Sequence, residues 1–322
     1  MPFNDLIHPA LGQYRSSVTA PADFDAFWQS TIAEARAAGG TPTFTPEASP
    51  ISLLDIFDVT FPGFGGHPVK GWLVLPKARP EKLPLVVQYV GYGGGRGMAH
   101  EALHFACSGF AYFRMDTRGQ GSGWSIGETP DPVGSTPQIP GVMTKGILDP
   151  ADYYYRRVYT DAVRAVDALF DQDWLDPSRI AVIGGSQGGG ITLAVAGLDP
   201  RIAAAAPDVP FLCDFPRAVR LAARDPYGEI SRFLAMQRDK VSTVFANLSY
   251  FDGVNFAARA KAPALFSAGL MDNVCPPSTV YAAYNAYAGD KSILDYEFND
   301  HEGGGALHEL RRLEWLKQLL KA

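Results

Sequence analysis

Long apolar runs are missing from this chain. No stretch approaches the roughly 20 consecutive apolar residues that a membrane-crossing helix requires. No lysine or arginine precedes Arg15, and no long apolar segment follows the start, so no secretory signal is read there. Cysteine is scarce: Cys107, Cys213 and Cys275 are widely spaced and odd in number. They make neither a disulfide framework nor a C-x-x-C metal motif, which points to a reducing compartment. Positive charge is not in excess, since 28 Lys and Arg face 34 Asp and Glu for a formal charge of −6. Because the signs are interspersed, neither nucleic acid nor an anionic membrane is expected as a partner. Repeats and low-complexity tracts are lacking too. A soluble, cytoplasmic protein is the expectation.

What the chain does have is core. Its 322 residues are 47% hydrophobic, enough for one large α/β domain with insertions. Residues 1–50 read as an N-terminal arm preceding the sheet. Within it a helix runs from Pro21 to about Ala38, with Phe24, Phe27, Trp28 and Ile32 on one face. Ile51–Phe61 and Val69–Leu75 form a hairpin around Pro62–Gly66. Leu83–Val90 is a nearly continuous apolar run, as expected of a strand buried on both faces. Further strands are read at Ala111–Asp116, Ile180–Gly184, Ile202–Ala206, Ala264–Gly269 and Ile293–Phe298, with helical segments between them, including Glu101–Ser108. This alternation predicts a mostly parallel sheet flanked by helices. Asp149-Pro150 is read as the cap of a helix continuing to Phe170. Two intervals exceed plain connections: Gly119–Asp149, rich in Gly and Pro, and 209–260, read as a partial lid over the sheet's C-terminal edge.

Gly184-Gly185-Ser186-Gln187-Gly188 follows one of these strands and precedes a helical segment at Ile191–Leu198. G-x-S-x-G in that context is a nucleophile elbow, with a serine at a sharp apex and glycines where Cβ atoms would collide. Outside that context it is an ordinary glycine-rich turn. A serine nucleophile needs a base, and the base an orienting carboxylate, in the chain order Ser, acid, His. Only His301 and His308 follow Ser186. His301 lies in a loop just past a strand, whereas His308 falls inside the last helix, where a solvated residue is expected. For the acid, Asp272 follows the Ala264–Gly269 strand and is preferred over Asp208 and Asp300.

An acyl-transfer intermediate also needs oxyanion donors. One is the backbone N–H of Gln187, directly after the nucleophile; the other is assigned to Tyr92, in the Gly91–Gly97 loop after an early strand. That loop lacks the spacing of a phosphate-binding motif. No cofactor or metal is expected. His100-x-x-x-His104 completes no H-E-x-x-H pattern and reads as a packed or surface pair.

Arg118-Gly119-Gln120, Gly184-x-Ser186-Gln187-Gly188 and His301-Glu302 together resemble the signature of the acetyl xylan esterase/cephalosporin C deacetylase family, carbohydrate esterase family 7. Further segments are similar to the family's: Gly146-Ile147-Leu148-Asp149-Pro150, Tyr153–Arg157, Asp208–Cys213 and Leu270–Pro277. The likeness spans essentially the whole chain. It implies an α/β-hydrolase fold, a Ser186–Asp272–His301 triad, and Tyr92 and Gln187 as oxyanion donors. It also implies deacetylation of small acetylated xylo-oligosaccharides and of the antibiotic cephalosporin C, by a cytoplasmic homo-hexamer. Arg118 and Glu302 are read as supports near the site. Two other readings compete: a serine peptidase or broad-specificity esterase on the same fold, and a non-catalytic binding protein of hydrolase fold.

Overall fold

In the computed structural model, residues 5–133, 138–139 and 141–322 are described. Nine strands form one sheet: β1 (Thr43–Pro46), β2 (Leu54–Pro62), β3 (Pro68–Pro76), β4 (Leu83–Tyr89), β5 (Ala111–Met115), β6 (Leu175–Gly185), β7 (Ala204–Asp208), β8 (Ala264–Gly269) and β9 (Lys291–Tyr296). Their order is β1-β2-β3-β5-β4-β6-β7-β8-β9. The first three pair antiparallel, β3 pairs antiparallel with β5, and every later pairing is parallel. This is the expected α/β-hydrolase architecture. The sheet begins earlier than the sequence suggests, because β1 falls inside the 1–50 arm. Thr43–Pro46 is mostly exposed, so it has no apolar pattern; only its ladder with β2 makes it a strand.

Helices cover both faces. Along β4 and β6, side chains alternate between two cores: Leu85, Val87, Ile180 and Val182 enter the larger, and Val86, Ala181 and Ile183 the smaller. That two-sided burial is why these strands read as continuous apolar runs. After a one-turn α1 (Ala10–Gln13), α2 (Phe24–Ala37) lays Phe24, Trp28 and Ile32 into the larger core. Of the helix expected at Glu101–Ser108, only α3 (His104–Cys107) forms. His100 is exposed and outside it, so the His100/His104 spacing gives no shared helical face.

The helix α4 spans Tyr154–Phe170 and starts later than expected. Asp149 caps a turn instead: its side chain accepts from Ala151 N–H at 2.7 Å and its carbonyl from Asp152 and Tyr153 N–H. The helix α5 (Gln187–Leu198) follows β6 with one residue between. The 209–260 segment folds as four helices, α6 (Phe215–Leu221), α7 (Tyr227–Met236), α8 (Val241–Leu248) and α9 (Gly253–Ala257); α10 (Pro277–Ala286) and α11 (Gly305–Leu320) complete the chain. No helix among the described residues is long and apolar enough to cross a membrane.

Candidate active site

β6 ends at Gly185 and α5 begins at Gln187, so Ser186 must turn the chain alone. It does so at φ 57°, ψ −120°, a conformation that costs a non-glycine residue about 1–3 kcal/mol. Neighbouring backbone holds it there: Ser186 N–H donates to Asp208 O at 3.0 Å, and Phe211 N–H donates to Ser186 O at 2.9 Å. The flanking glycines are steric necessities. A Cβ on Gly188 would stand 2.2 Å from the Tyr89 carbonyl oxygen, and one on Gly184 2.5 Å from the Gly188 backbone.

Asp272 lies in the turn after β8 with its carboxylate buried. Oδ1 accepts from the backbone N–H groups of Val274 at 2.7 Å and Cys275 at 2.9 Å. Oδ2 is 2.8 Å from His301 Nδ1. A carboxylate so anchored accepts, so Nδ1 carries the ring proton and Nε2 is left as the basic nitrogen. Ser186 and His301 line the same cavity. The Cys275 thiol is pushed well up chiefly by burial. One ligating atom each of Asp272, Cys275 and His301 falls within 4.8 Å of the others. The Asp272–His301 bond and a thiol held protonated account for that cluster.

The competing residues have other partners. Asp208 binds His308 Nε2 at 2.6 Å and Arg312, while Asp300 accepts from Asn273 N–H at 3.1 Å. His308 is not the solvated residue expected from its place in the last helix. It is 3% exposed and bridges Asp208 and the Tyr296 hydroxyl. Helical periodicity is a weak guide at that position because the buried polar partners come from distant strands.

Tyr92 opens the loop after β4, and among the described residues no protein acceptor takes its N–H. Gln187 is the first residue of α5, where backbone N–H groups lack intrahelical acceptors. Side chains tie the two together. Gln120 accepts from Gly93 N–H at 2.7 Å through Oε1 and donates to Gln187 Oε1 at 2.8 Å through Nε2. Gln187 in turn donates to the Val90 carbonyl at 3.1 Å and accepts from Tyr155 OH at 2.9 Å. Gln120 thus bridges the Tyr92 loop and the residue after the elbow.

Arg118 lies at zero side-chain exposure, donating to Asp161 through two nitrogens at 2.5 and 2.7 Å, with Asp131 also paired at 3.5 Å. Gly119 takes φ +69° beneath Asp131, turning the chain so that Gln120 points at the site. Glu302 is exposed on the cavity rim; its Oε1 accepts from Asn299 at 2.6 Å, and that bond holds its carboxyl below the usual range. Asp116, not singled out by any motif, organises the Gly119–Thr129 turn. Buried at the end of β5, its carboxylate accepts from the N–H groups of Arg96, Thr117, Glu128 and Thr129.

The cavity over Ser186 holds about 630 Å³. Trp124, Tyr92, Val209, Pro226 and Val274 line it together with the charged Arg114, Glu309 and Arg312. Trp124 was also missed. It is exposed, but its indole N–H donates to the Tyr92 carbonyl at 2.8 Å, and its ring fills the space that a Cβ on Gly94 would need. A lone tryptophan in a glycine-rich loop was the available signal.

A family model described as acetyl xylan esterase (AXE1) matches residues 1–319. The solved acetyl xylan esterase from Paenibacillus sp. R4 is 41% identical and superposes with a TM-score of 0.92, over 97% of this chain and 99% of that one. Acetyl xylan esterase 1 from Thermoanaerobacterium sp. JW/SL YS485 is 31% identical with a TM-score of 0.89, over 98% and 99%. Acetyl esterase Axe7A of Xylanibacter ruminicola is 32% identical over 312 residues, 94% of this chain and 68% of that protein. A family match over nearly the whole chain, and like structures at up to 41% identity, place this chain in the acetyl xylan esterase family.

Proposed function

We propose that this protein is a serine carboxylesterase that removes acetyl groups from small acetylated sugars, xylo-oligosaccharides first among them, through an acetyl-enzyme. The observation that carries the reading is the 2.8 Å bond between His301 Nδ1 and Asp272, facing the same cavity as a serine held at a strained elbow. Ser186 Oγ attacks the acetyl carbonyl and passes its proton to His301 Nε2; the charge that develops on the carbonyl oxygen is met by the N–H groups of Tyr92 and Gln187. Collapse breaks the ester bond, and the sugar alcohol leaves with the proton from His301. Water then gives its proton to His301, attacks the acetyl-enzyme, and acetate departs as Ser186 is reprotonated. Asp272 stabilises the imidazolium at each stage.

The 209–260 segment serves as a partial lid, since Val209 and Pro226 line the cavity beside Ser186. Ser186→Ala should lower kcat on p-nitrophenyl acetate and acetylated xylose by about 10⁶-fold; near-native turnover in that variant would end the assignment. The family resemblance extends the reading to cephalosporin C as a second substrate and to a cytoplasmic homo-hexamer. Sedimentation equilibrium should then return six times the 34.8 kDa chain mass; a monomer would remove the hexamer and leave the chemistry standing.

A further inference from the structure

The geometry points to Glu229 as a positioning residue for the oxyanion loop, the part through which the 209–260 segment sets the place of Tyr92. This inference rests on the reading of Tyr92 as an oxyanion donor. Glu229 is in the first turn of α7, 137 residues from Tyr92, and only 3% exposed. Its Oε1 accepts from the Tyr92 hydroxyl at 2.6 Å, and its Oε2 accepts from the Met143 N–H at 3.0 Å. The Tyr92 oxygen in turn accepts from the Val142 N–H at 2.8 Å. Gly141 completes the seat, because a Cβ there would stand 2.3 Å from the Glu229 carboxyl group.

The direction of these bonds decides why an acid is used. Val142 N–H donates to one lone pair of the phenol oxygen, and the phenol's own proton needs a separate acceptor. Met143 presents a second donor to the same side chain, and one carboxylate satisfies both. A buried carboxylate needs compensation, yet Arg232, on the same helix, turns to Asp225 with bonds of 2.8 and 2.9 Å. Glu229 therefore stays in an environment that disfavours its charge, and burial raises its pKa above the ordinary carboxyl value. Packing alone would be served as well by an uncharged residue. What the acid supplies is a short, charge-assisted bond to the far end of the Tyr92 side chain.

That bond matters at the backbone because Tyr92 is held at three points. Its ring end is fixed by Glu229 and Val142, its carbonyl by Trp124, and the following N–H by Gln120. Releasing the ring end leaves the peptide that carries the oxyanion donor restrained only by its Gly91 carbonyl, which accepts from Gly94 N–H at 3.1 Å, and by the two bonds on the carbonyl side of Tyr92. Oxyanion donors work only within a few tenths of an ångström of the developing charge.

The test compares Glu229→Gln, which leaves a single amide oxygen for the Tyr92 hydroxyl and the Met143 N–H and sets an NH2 donor against one of them, with Tyr92→Phe, which removes the hydroxyl and keeps the backbone N–H. In Glu229→Gln, kcat on p-nitrophenyl acetate should fall about 10- to 100-fold with KM within about threefold. Inhibition by phenylboronic acid, which forms a tetrahedral adduct on serine, should weaken by the same factor as kcat/KM. Tyr92→Phe should lose a similar factor, and the double variant little more than either single one. An unchanged kcat in a folded Glu229→Gln protein overturns the inference, as do losses that multiply in the double variant. Ser186→Ala separates the two levels. If it remains active, the proposed function fails; if it is inactive while Glu229→Gln turns over normally, only the positioning role fails.

Discussion

The acid and the base beside Ser186 each have a partner that fixes their orientation. Asp272 uses one oxygen to hold its own backbone turn and the other to hold His301. Asp272→Asn keeps the volume but replaces one acceptor with a donor. Two backbone N–H groups and the ring Nδ1 then compete for a single amide oxygen, and the imidazole is driven toward the wrong tautomer. A loss of about 10⁴-fold in kcat is expected, with KM little changed, measured by steady-state hydrolysis of p-nitrophenyl acetate. At this scale the motif residues were legible in advance, since G-x-S-x-G and the Ser, Asp, His order are local patterns. Trp124, Cys275 and Glu229 were not. Their relation to the site depends on loops and helices that meet only after folding.

Secondary elements bring those residues to one edge of the sheet. Ser186, Asp272 and His301 follow β6, β8 and β9, and the Tyr92 loop follows β4, all at carboxyl ends of strands. The helix α4 braces the arrangement from below. Tyr155 supports Gln187 and Tyr154 binds Gln120, while Asp161 of the same helix holds Arg118. Replacing Arg118 with Met would leave Asp161 charged and buried without its main partner. Loss of one member of such a pair costs about 3–5 kcal/mol, so thermal unfolding should shift down by several degrees. Activity should fall as well, because the segment that loses its anchor to Asp161 carries the carbonyl that accepts from Tyr154 OH and leads directly into Gln120. The long apolar strands and α2 were readable from their patterns. The false cap at Asp149 and the short α3 show where local signals mislead: turn hydrogen bonds and close packing outcompeted helix propensity there.

Over the whole molecule, one buried acid ties the two ends of the 209–260 segment to each other. Asp252 caps α9 and accepts from the N–H groups of Asp214, Phe215 and Val254, at 2.9, 2.9 and 3.0 Å. Desolvation outweighs those donors and pushes its pKa from 3.8 up to about 7. A folded value above the unfolded one means the native state binds the proton more tightly. The stability it contributes is fully present below pH ~4 and is lost as pH rises through about 7. Asp252→Asn removes this titration. The melting temperature of the native protein, relative to that variant, should therefore decline from pH 4 to pH 8. A difference that stays flat across that range would refute the shifted acid.

The sequence by itself determined the fold class and the proposed nucleophile with the order of its partners, because periodicity and the elbow motif are written over a few neighbouring residues. Family membership follows from segments spread along the whole chain. Tertiary structure alone decided that His308 is a buried partner of Asp208, that Gln120 bridges the two proposed oxyanion residues, and that Glu229 reaches Tyr92. The separations involved, from 27 to 137 residues, explain why: a hydrogen bond across such a distance leaves no local pattern and exists only once the intervening chain has folded.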